Sequence, residues 1–420
     1  MPGDRQSFSA PRGTADLLPP ESLRWQASVR VALDIFERAG YAPIETPIFE
    51  ATEVFERGVG ETSEVVGKQM YTFLDRGGRS LTLRPEGTAP VIRAVLEHNL
   101  AKAALPLKLC YAGPMFRQER PQKGRMRQFF QLGIEAIGSP GPLVDAEVIE
   151  IGARLVAALG VGATLHLNSI GHPDSACRGA YQEALRAFLR DRSDSLAEAD
   201  RERVDTNPMR TFDSKEKETI AVMKEAPLIT EFLCDECREH FEGVRGYLDD
   251  LEVAYVIDAT LVRGLDYYTR TAFEFKSSDL GSQDTVLAGG RYDGLSESLG
   301  GPPLPGIGFA SGLDRLMLIG SGGTQAETLI DAYVVAVGDG VTTEAMKLAT
   351  RLRRKGFGVD IDLLGRSMKG QMKDAVRSGA RWALVLGEDE VRAGEVALRD
   401  MTTATQERIP IEDVERRLSR

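Results

Sequence analysis

The chain has 420 residues, 42% of them hydrophobic and 27% charged, with a net charge of −11. At roughly 100–200 residues per domain, that length suggests two or three domains with enough apolar side chain for real cores. No stretch approaches the ~18 apolar residues of a membrane span, the N-terminus lacks an apolar signal core, and four irregularly spaced cysteines do not make a disulfide scaffold, so a cytoplasmic protein is expected.

Trp25, Val29, Leu33 and Phe36 recur at helical spacing, which predicts a helix over 22–39 that Gly40 stops. Extended segments follow at 41–47, 71–74 and 80–83, with Gly77 and Gly78 as the turn between the last two. Residues 88–98 read as a helix. The stretches 107–116 and 128–137 read as antiparallel strands joined by a basic loop, 117–127. Asp145 is expected to cap a helix that runs to about Leu159 and closes at Gly160. A strand is expected at 164–169.

From about His172 to Tyr247, charged residues dominate and glycine is scarce, which reads as a helical insertion. Strands resume at 253–257 and 271–276. A Gly/Pro-rich stretch, 300–308, leads into an expected helix at 309–319. GSGGTQAE, 320–327, has the composition of a linker. Beyond it, strands at 331–338, 357–364 and 381–387 alternate with helices from Thr343 to Lys355 and over 368–379. That alternation describes a small α/β domain with a partly parallel sheet. The chain divides into core segments 1–171 and 249–322, an insertion 172–248, and a C-terminal domain 330–420.

Two basic islands stand out of this acidic background. Residues 351–381 hold nine basic and three acidic side chains, and residues 117–127 hold five basic side chains against one glutamate. Such islands fit a selective polyanionic partner.

No P-loop and no GxGxxG run is present, so any ATP chemistry must rest on arginines and a sheet surface. Five segments carry chemistry-bearing residues. In LTLRPEGTAPVIRA, Glu86 and Thr88 sit where a strand turns into a helix. They suit an ammonium ligand or a helix cap. In GPMFRQERPQKGRMRQFFQLGIEAIG, Arg117, Glu119 and Arg125 flank a strand on which Phe129, Gln131, Gly133 and Glu135 share one face. Arginine forks there can grip phosphate oxygens. TLVRGLDYYTRTAFEF places Arg263 and Asp266 about a Gly264 turn, ahead of Tyr267 and Tyr268. LAGGRYDGL offers adjacent glycines for close approach of backbone to ligand. LPGIGFASGLDRLML carries Arg315. Cys234-x2-Cys237-x2-His240 invites a zinc reading. A structural zinc needs four ligands, and no second CxxC or HxxxH pair exists, so no zinc is expected.

Taken together and in this order, these segments resemble the histidyl-tRNA synthetases, a class II aminoacyl-tRNA synthetase family. YAPIETPIFE is similar to motif 1 with Pro47 as its proline, FRQE with RMRQF to motif 2, and GFASGLDRL to motif 3. RGLDYYT and AGGRYDGL resemble the two histidine signatures, and RPEGT the amino-acid loop. The resemblance implies an α+β catalytic core, an antiparallel sheet flanked by helices, with a helical insertion and a C-terminal α/β anticodon-binding domain.

It further implies that Glu86, Gly87, Thr88 and Gln131 hold the amino acid, and that Glu135, Tyr267 and Tyr268 face its imidazole. Arg117 and Arg263 would act on the α-phosphate, and Glu119 would read the adenine amino group. Phe129 and Arg315 would sandwich the adenine, with Arg125 and Arg315 facing the terminal phosphates. Mg²⁺ would accompany ATP, and motif 1 would form a homodimer interface. Gln122 and Lys123 in the loop, and Arg353, Arg354, Arg366 and Lys369 in the C-terminal domain, would contact tRNA(His). Two alternatives share this core: a regulatory paralogue of ATP phosphoribosyltransferase, and a class II synthetase for threonine, proline or glycine.

Overall fold

The computed structural model describes residues 8–60, 63, 65–122, 124–173, 175–262, 264–281, 284–320 and 329–419. They form two compact units, Met1–Gln325 and Ala326–Arg420.

The first unit is built on an eight-stranded sheet. Its order is Ala42–Pro43, Leu107–Phe116, Gln128–Ile137, Gly306–Gly312, Thr285–Arg291, Thr269–Lys276, Thr164–Ser169 and Tyr255–Ile257. The six inner strands pair antiparallel, and the two short edge strands pair parallel with their neighbours. Side chains on a strand alternate between faces, and that alternation assigns the layers. Leu132, Ile134 and Ala136 point into the main core with Ile307 and Phe309. Helices Glu21–Arg38, Pro142–Ala158 and Asp235–Asp250 cover this face through Phe36, Ile149, Leu155 and Val244. Gln131, Gly133 and Glu135 therefore point to the opposite face. There Tyr111, Met115 and Tyr292 meet Ile92 and Val95 of helix Thr88–Glu97.

Three sequence expectations are corrected. Residues 306–312 form an inner strand, and the helix starts only at Leu313. GIGFASG lacks the bulk to cover a helix face, but it fits between two strands, where its glycines let Tyr292 and the Glu135 carboxyl approach the backbone. Asp145 is not a cap. The helix begins at Pro142, whose missing N–H is harmless in the first turn. The Asp145 carboxylate is instead fully buried, paired with Arg291 and accepting a hydrogen bond from Thr271. Arg291 also donates to the carbonyls of Ser139 and Gly141 at 3.0 and 3.2 Å, so this buried ion pair is well satisfied. Truncating either partner of such a pair costs about 3–5 kcal/mol. Of the extended stretch 41–47, only Ala42–Pro43 pairs as a strand.

Residues 172–248 are helical, as their charge pattern suggests. Tyr181, Leu185, Leu189, Val204 and Met209 pack in a small core that also takes in Val262 and Tyr268. A separate three-stranded antiparallel sheet, with Ser80–Leu83 between Phe49–Ala51 and Tyr71–Leu74, leaves Phe49, Phe73 and Leu74 exposed.

The second unit is a five-stranded sheet in the order Val359–Ile361, Ala332–Val337, Trp382–Gly387, Glu395–Asp400, Gln406–Pro410. Its first three strands are parallel and the last two antiparallel. Helix Val341–Arg354 starts behind Gly340 in a left-handed conformation (φ 77°), two residues before the expected start at Thr343. Helix Met368–Arg377 is pinned by Gln371, whose amide bonds both the N–H and the C=O of Ala336 at 2.8 Å. No helix among the described residues is long and apolar enough to cross a membrane.

Candidate active site

The sheet face opposite the main core opens into a cavity of ≈ 840 Å³. Glu86, Thr88, Arg117, Glu119, Arg125, Phe129, Gln131, Tyr267, Tyr268 and Arg315 all line it. They come from four segments widely separated in sequence, brought together by strand order. Gly87 packs its backbone on the Tyr111 ring rather than lining the cavity. Arg263 and Lys123 lie outside the described residues.

At one end, Glu86 caps helix Thr88–Glu97. Its carboxylate accepts from the backbone N–H groups of Thr88 and Ala89 at 2.8 and 2.9 Å. The cap and the ligand reading are compatible, because the same carboxylate lines the cavity. Burial raises its pKa, and the two backbone donors pull it back. Gln131 is buried beside it, and its amide oxygen has no hydrogen-bond partner. An orphaned buried acceptor on a cavity wall suits a donor-bearing ligand.

Glu135 is fully buried one layer behind the wall. Its carboxyl accepts from the Thr88 hydroxyl at 2.7 Å and the Tyr292 hydroxyl at 2.6 Å, both of which line the cavity. The Tyr111 hydroxyl lies 3.4 Å away. The Tyr267 ring lies between Tyr268 and Tyr292, with centroids 4.6 and 5.9 Å away. This aromatic and hydroxyl group with one carboxyl beneath it is suited to a flat, polar ring. Tyr111 and Tyr292 were not singled out in the sequence. The signal was available in the register, since Tyr111 stands opposite Gly133 and fills the space that glycine leaves.

Burial raises the Glu135 pKa to about 8, the Glu86 charge adds to the rise, and the Tyr292 and Thr88 hydrogen bonds oppose it. Between the ordinary value of 4.5 and about 8, the folded chain holds a proton that the unfolded chain has lost. This group's contribution to stability therefore falls as pH rises through that window and levels off above it. Glu135→Gln cannot titrate, so its melting temperature should drop less between about pH 5 and about pH 9 than that of the parent chain. Equal drops in the two proteins would show that Glu135 does not carry the effect.

At the other end, the site is cationic. The Arg117 Nε donates to the Pro85 carbonyl at 3.0 Å, and its guanidinium lies 5.2 Å from the centroid of the Phe129 ring. Glu119 pairs with Arg125 at 3.1 Å and lies 3.8 Å from Arg117. Arg315 donates to the carbonyls of Gly124 and Thr285 at 3.1 and 2.6 Å, and so crosses from helix to loop to strand. Gly124 has φ 76°, which lets the basic loop turn back at that point. Burial lowers the pKa of both Arg117 and Arg315, and for Arg315 the Arg125 charge lowers it further. Three arginines gathered around one carboxylate, Glu119, give this end of the cavity a local excess of guanidinium groups suited to phosphate oxygens, although further carboxylates line the rest of the wall.

The insertion also contributes. Arg203, Asn207 and Arg210 line the cavity, and Arg210 donates to the Gly264 carbonyl at 2.5 Å and pairs with Asp266 at 3.1 Å. The charge pattern of the sequence marks this stretch only as a helical insertion. Only the fold reveals that Arg210 and Asn207 hold Gly264 and Asp266 in the turn that follows position 263.

Of the residues expected to meet tRNA, Gln122, Arg354 and Lys369 are exposed. Arg353 donates to the Val359 carbonyl at 2.7 Å, and Arg366 pairs with Asp374 and Asp362. These two serve their own domain while their charge remains in the basic island.

The model of a family described as "Histidyl-tRNA synthetase" matches residues 13–316, and that of an "Anticodon binding domain" matches residues 331–420. The histidine–tRNA ligase of Halothermothrix orenii is 49% identical over 401 residues, covering 94% of this chain and 95% of that protein. The histidine–tRNA ligase of Moorella thermoacetica is 49% identical over 407 residues, covering 96% of each. The crystal structure of apo S. aureus histidyl-tRNA synthetase superposes with a TM-score of 0.82 at 38% identity, covering 99% of this chain and 100% of that one.

Proposed function

This chain belongs to the histidyl-tRNA synthetase family, and from that premise we propose how this cavity activates L-histidine with ATP and passes it to tRNA(His). The observation that carries the proposal is convergence. Amino-acid-sized polar groups, an aromatic recess and three arginines line a single cavity of ≈ 840 Å³.

Glu86, Thr88 and Gln131 hold the α-ammonium and orient the substrate. Tyr267, Tyr268 and the hydroxyls backed by Glu135 surround the imidazole. Phe129 and Arg315 hold the adenine, Glu119 accepts from its amino group, and Arg117 and Arg263 face the α-phosphate. Arg125 and Arg315 face the terminal phosphates. ATP enters as its Mg²⁺ complex, and Glu274 and Asp284 on the same wall are hard oxygen donors within that region.

The chemistry needs no strong base. The substrate carboxylate is already ionised, and one of its oxygens attacks the α-phosphorus. The bond from that phosphorus to the bridging oxygen breaks, giving histidyl-adenylate and pyrophosphate. What the protein supplies is alignment and neutralisation of charge on phosphoryl oxygens. A terminal ribose hydroxyl of tRNA then attacks the activated carbonyl, loses its proton, and AMP departs. A pocket built to hydrogen-bond an imidazole can reject analogues lacking it by about 10⁴–10⁵, so the reaction proceeds without an editing domain.

The C-terminal unit, residues 330–420, reads the anticodon arm through its basic island 351–381, and the 117–127 loop meets the acceptor end. The exposed apolar residues Ile48, Phe49, Phe73 and Leu74 beside motif 1 support a homodimer interface. The enzyme works in the cytoplasm.

Amino-acid-dependent exchange of pyrophosphate into ATP, without tRNA, tests the reading. Histidine is expected to support exchange, and no exchange with any amino acid would favour a regulatory paralogue. Sedimentation of the same preparation reads the dimer, and a monomer at working concentration would refute that part.

A further inference from the structure

Three of the chain's four cysteines meet at one point at the base of the insertion. Cys177 lies in the π-helical turn Ser175–Gly179 that leads into helix Ala180–Asp191. Cys234 is the N-cap residue of helix Asp235–Asp250, and Cys237 lies in its first turn. The fourth member is His172, at the start of the insertion. A ring nitrogen of His172 and the three Sγ atoms all lie within 4.8 Å of one another. Nδ1 is 3.0 Å from the Cys237 sulfur and 3.7 Å from the Cys234 sulfur.

In the sequence, Cys234-x2-Cys237-x2-His240 offers too few ligands for a structural zinc. The structure takes His240 out of that set and aims it at Asp145, 3.5 Å away. It supplies His172 and Cys177 in its place. Neither belongs to a CxxC or HxxxH pair, so spacing alone could not find them.

We propose that His172, Cys177, Cys234 and Cys237 form a structural zinc site that clamps the insertion to the catalytic core.

The dimensions fit. Zn–S bonds of about 2.3 Å and Zn–N bonds of about 2.0–2.1 Å in a tetrahedron put the ligand atoms roughly 3.5–3.8 Å apart. The cluster needs only small rotamer changes to reach that. Three sulfurs and one imidazole nitrogen are a set that selects zinc over hard cations. Cys177 and Cys237 are buried, while Cys234 and His172 are partly exposed, which gives an ion a way in. The backbone is shaped for the gathering. Gly171 has φ 63°, and a side chain there would collide with the Cys177 sulfur. The positive end of helix Asp235–Asp250 faces the thiolates that a metal would create. Each thiol that binds gives its proton to solvent.

The clamp joins parts that matter to the cavity. Arg178, next to Cys177, donates to the carbonyls of Ile170, Gly171 and Tyr268 at 3.0, 2.8 and 2.7 Å. Glu236, between the two helix cysteines, pairs with Arg270. A metal at this point therefore ties the insertion to the strand that follows the tyrosine pair. The site itself does not depend on the catalytic reading.

The test uses the full-length chain, purified in reducing buffer with metal-free reagents. Elemental analysis after zinc loading and gel filtration should find one zinc per chain. Cobalt loading should give the strong visible bands of a tetrahedral thiolate complex together with sulfur-to-cobalt charge transfer, and zinc should displace it. Chelation should lower the melting temperature, and added zinc should restore it. Cys234→Ser/Cys237→Ser should lose the bound metal, while Cys110→Ser, a buried cysteine outside the cluster, should keep it. His172→Cys, which preserves four ligands, should retain the cobalt bands even if the double variant folds poorly. Absence of stoichiometric zinc, cobalt bands of octahedral type, or a Cys234–Cys237 disulfide in the reduced preparation would overturn the proposal.

Discussion

Replacing Arg117 with alanine is expected to lower the turnover of histidine-dependent pyrophosphate exchange by about 10²–10³, the range measured when one preorganised donor to a developing oxyanion is lost. The Michaelis constant for histidine should change little. Arg117 Nε is occupied by the Pro85 carbonyl, which fixes the plane of the guanidinium and leaves its outer nitrogens toward the cavity. Its neighbour Glu119 prefers Arg125, at 3.1 Å against 3.8 Å. The charge is thus held ready but not consumed, as stabilisation of a transition state requires. Arg263→Ala should behave in the same way, because its neighbour Gly264 lines the same wall. A matched rise in the histidine Michaelis constant with unchanged turnover would assign these arginines to ground-state binding instead.

Truncation after Gln325 should leave adenylate formation intact and cut charging of tRNA(His) by about two orders of magnitude, equivalent to roughly 3 kcal/mol of lost tRNA binding. Every described residue that lines the cavity lies at or before Arg315, and the C-terminal unit has its own core. The two activities therefore rest on separately packed parts of one chain. Exchange measured beside charging separates them. Charging that survives the truncation would remove the C-terminal unit from tRNA recognition, and exchange that disappears with it would show that the catalytic core depends on it.

The legible parts of the sequence are those where side-chain pattern and local geometry coincide. The strand pair 107–116 and 128–137 was read to the residue, because alternation on one strand marked Gln131, Gly133 and Glu135 as a single face. The helix after Gly87 and the helical insertion followed from spacing and charge. Strand Gly306–Gly312 was hidden because its residues are small, and their meaning lies in the Tyr292 ring and the Glu135 carboxyl that they admit. Strand Thr285–Arg291 looked like a weak glycine signal for the same reason. Arg291 and Asp145 stand 146 residues apart, so no local rule could pair them. Arg210, the Tyr111–Tyr292 pair and the four-ligand cluster likewise exist only once distant segments meet. Glu135 was expected at the imidazole, and only the fold reveals that Thr88 and Tyr292 bond its carboxyl and stand between it and the cavity.

The central claim is that these arginines and tyrosines serve one substrate pair in one cavity. The most direct measurement is the specificity constant for exchange with histidine set against those for threonine, proline and glycine on the same preparation. The account predicts discrimination of at least about 10⁴ in favour of histidine. A ratio near one, or faster exchange with any of the other three, would contradict it.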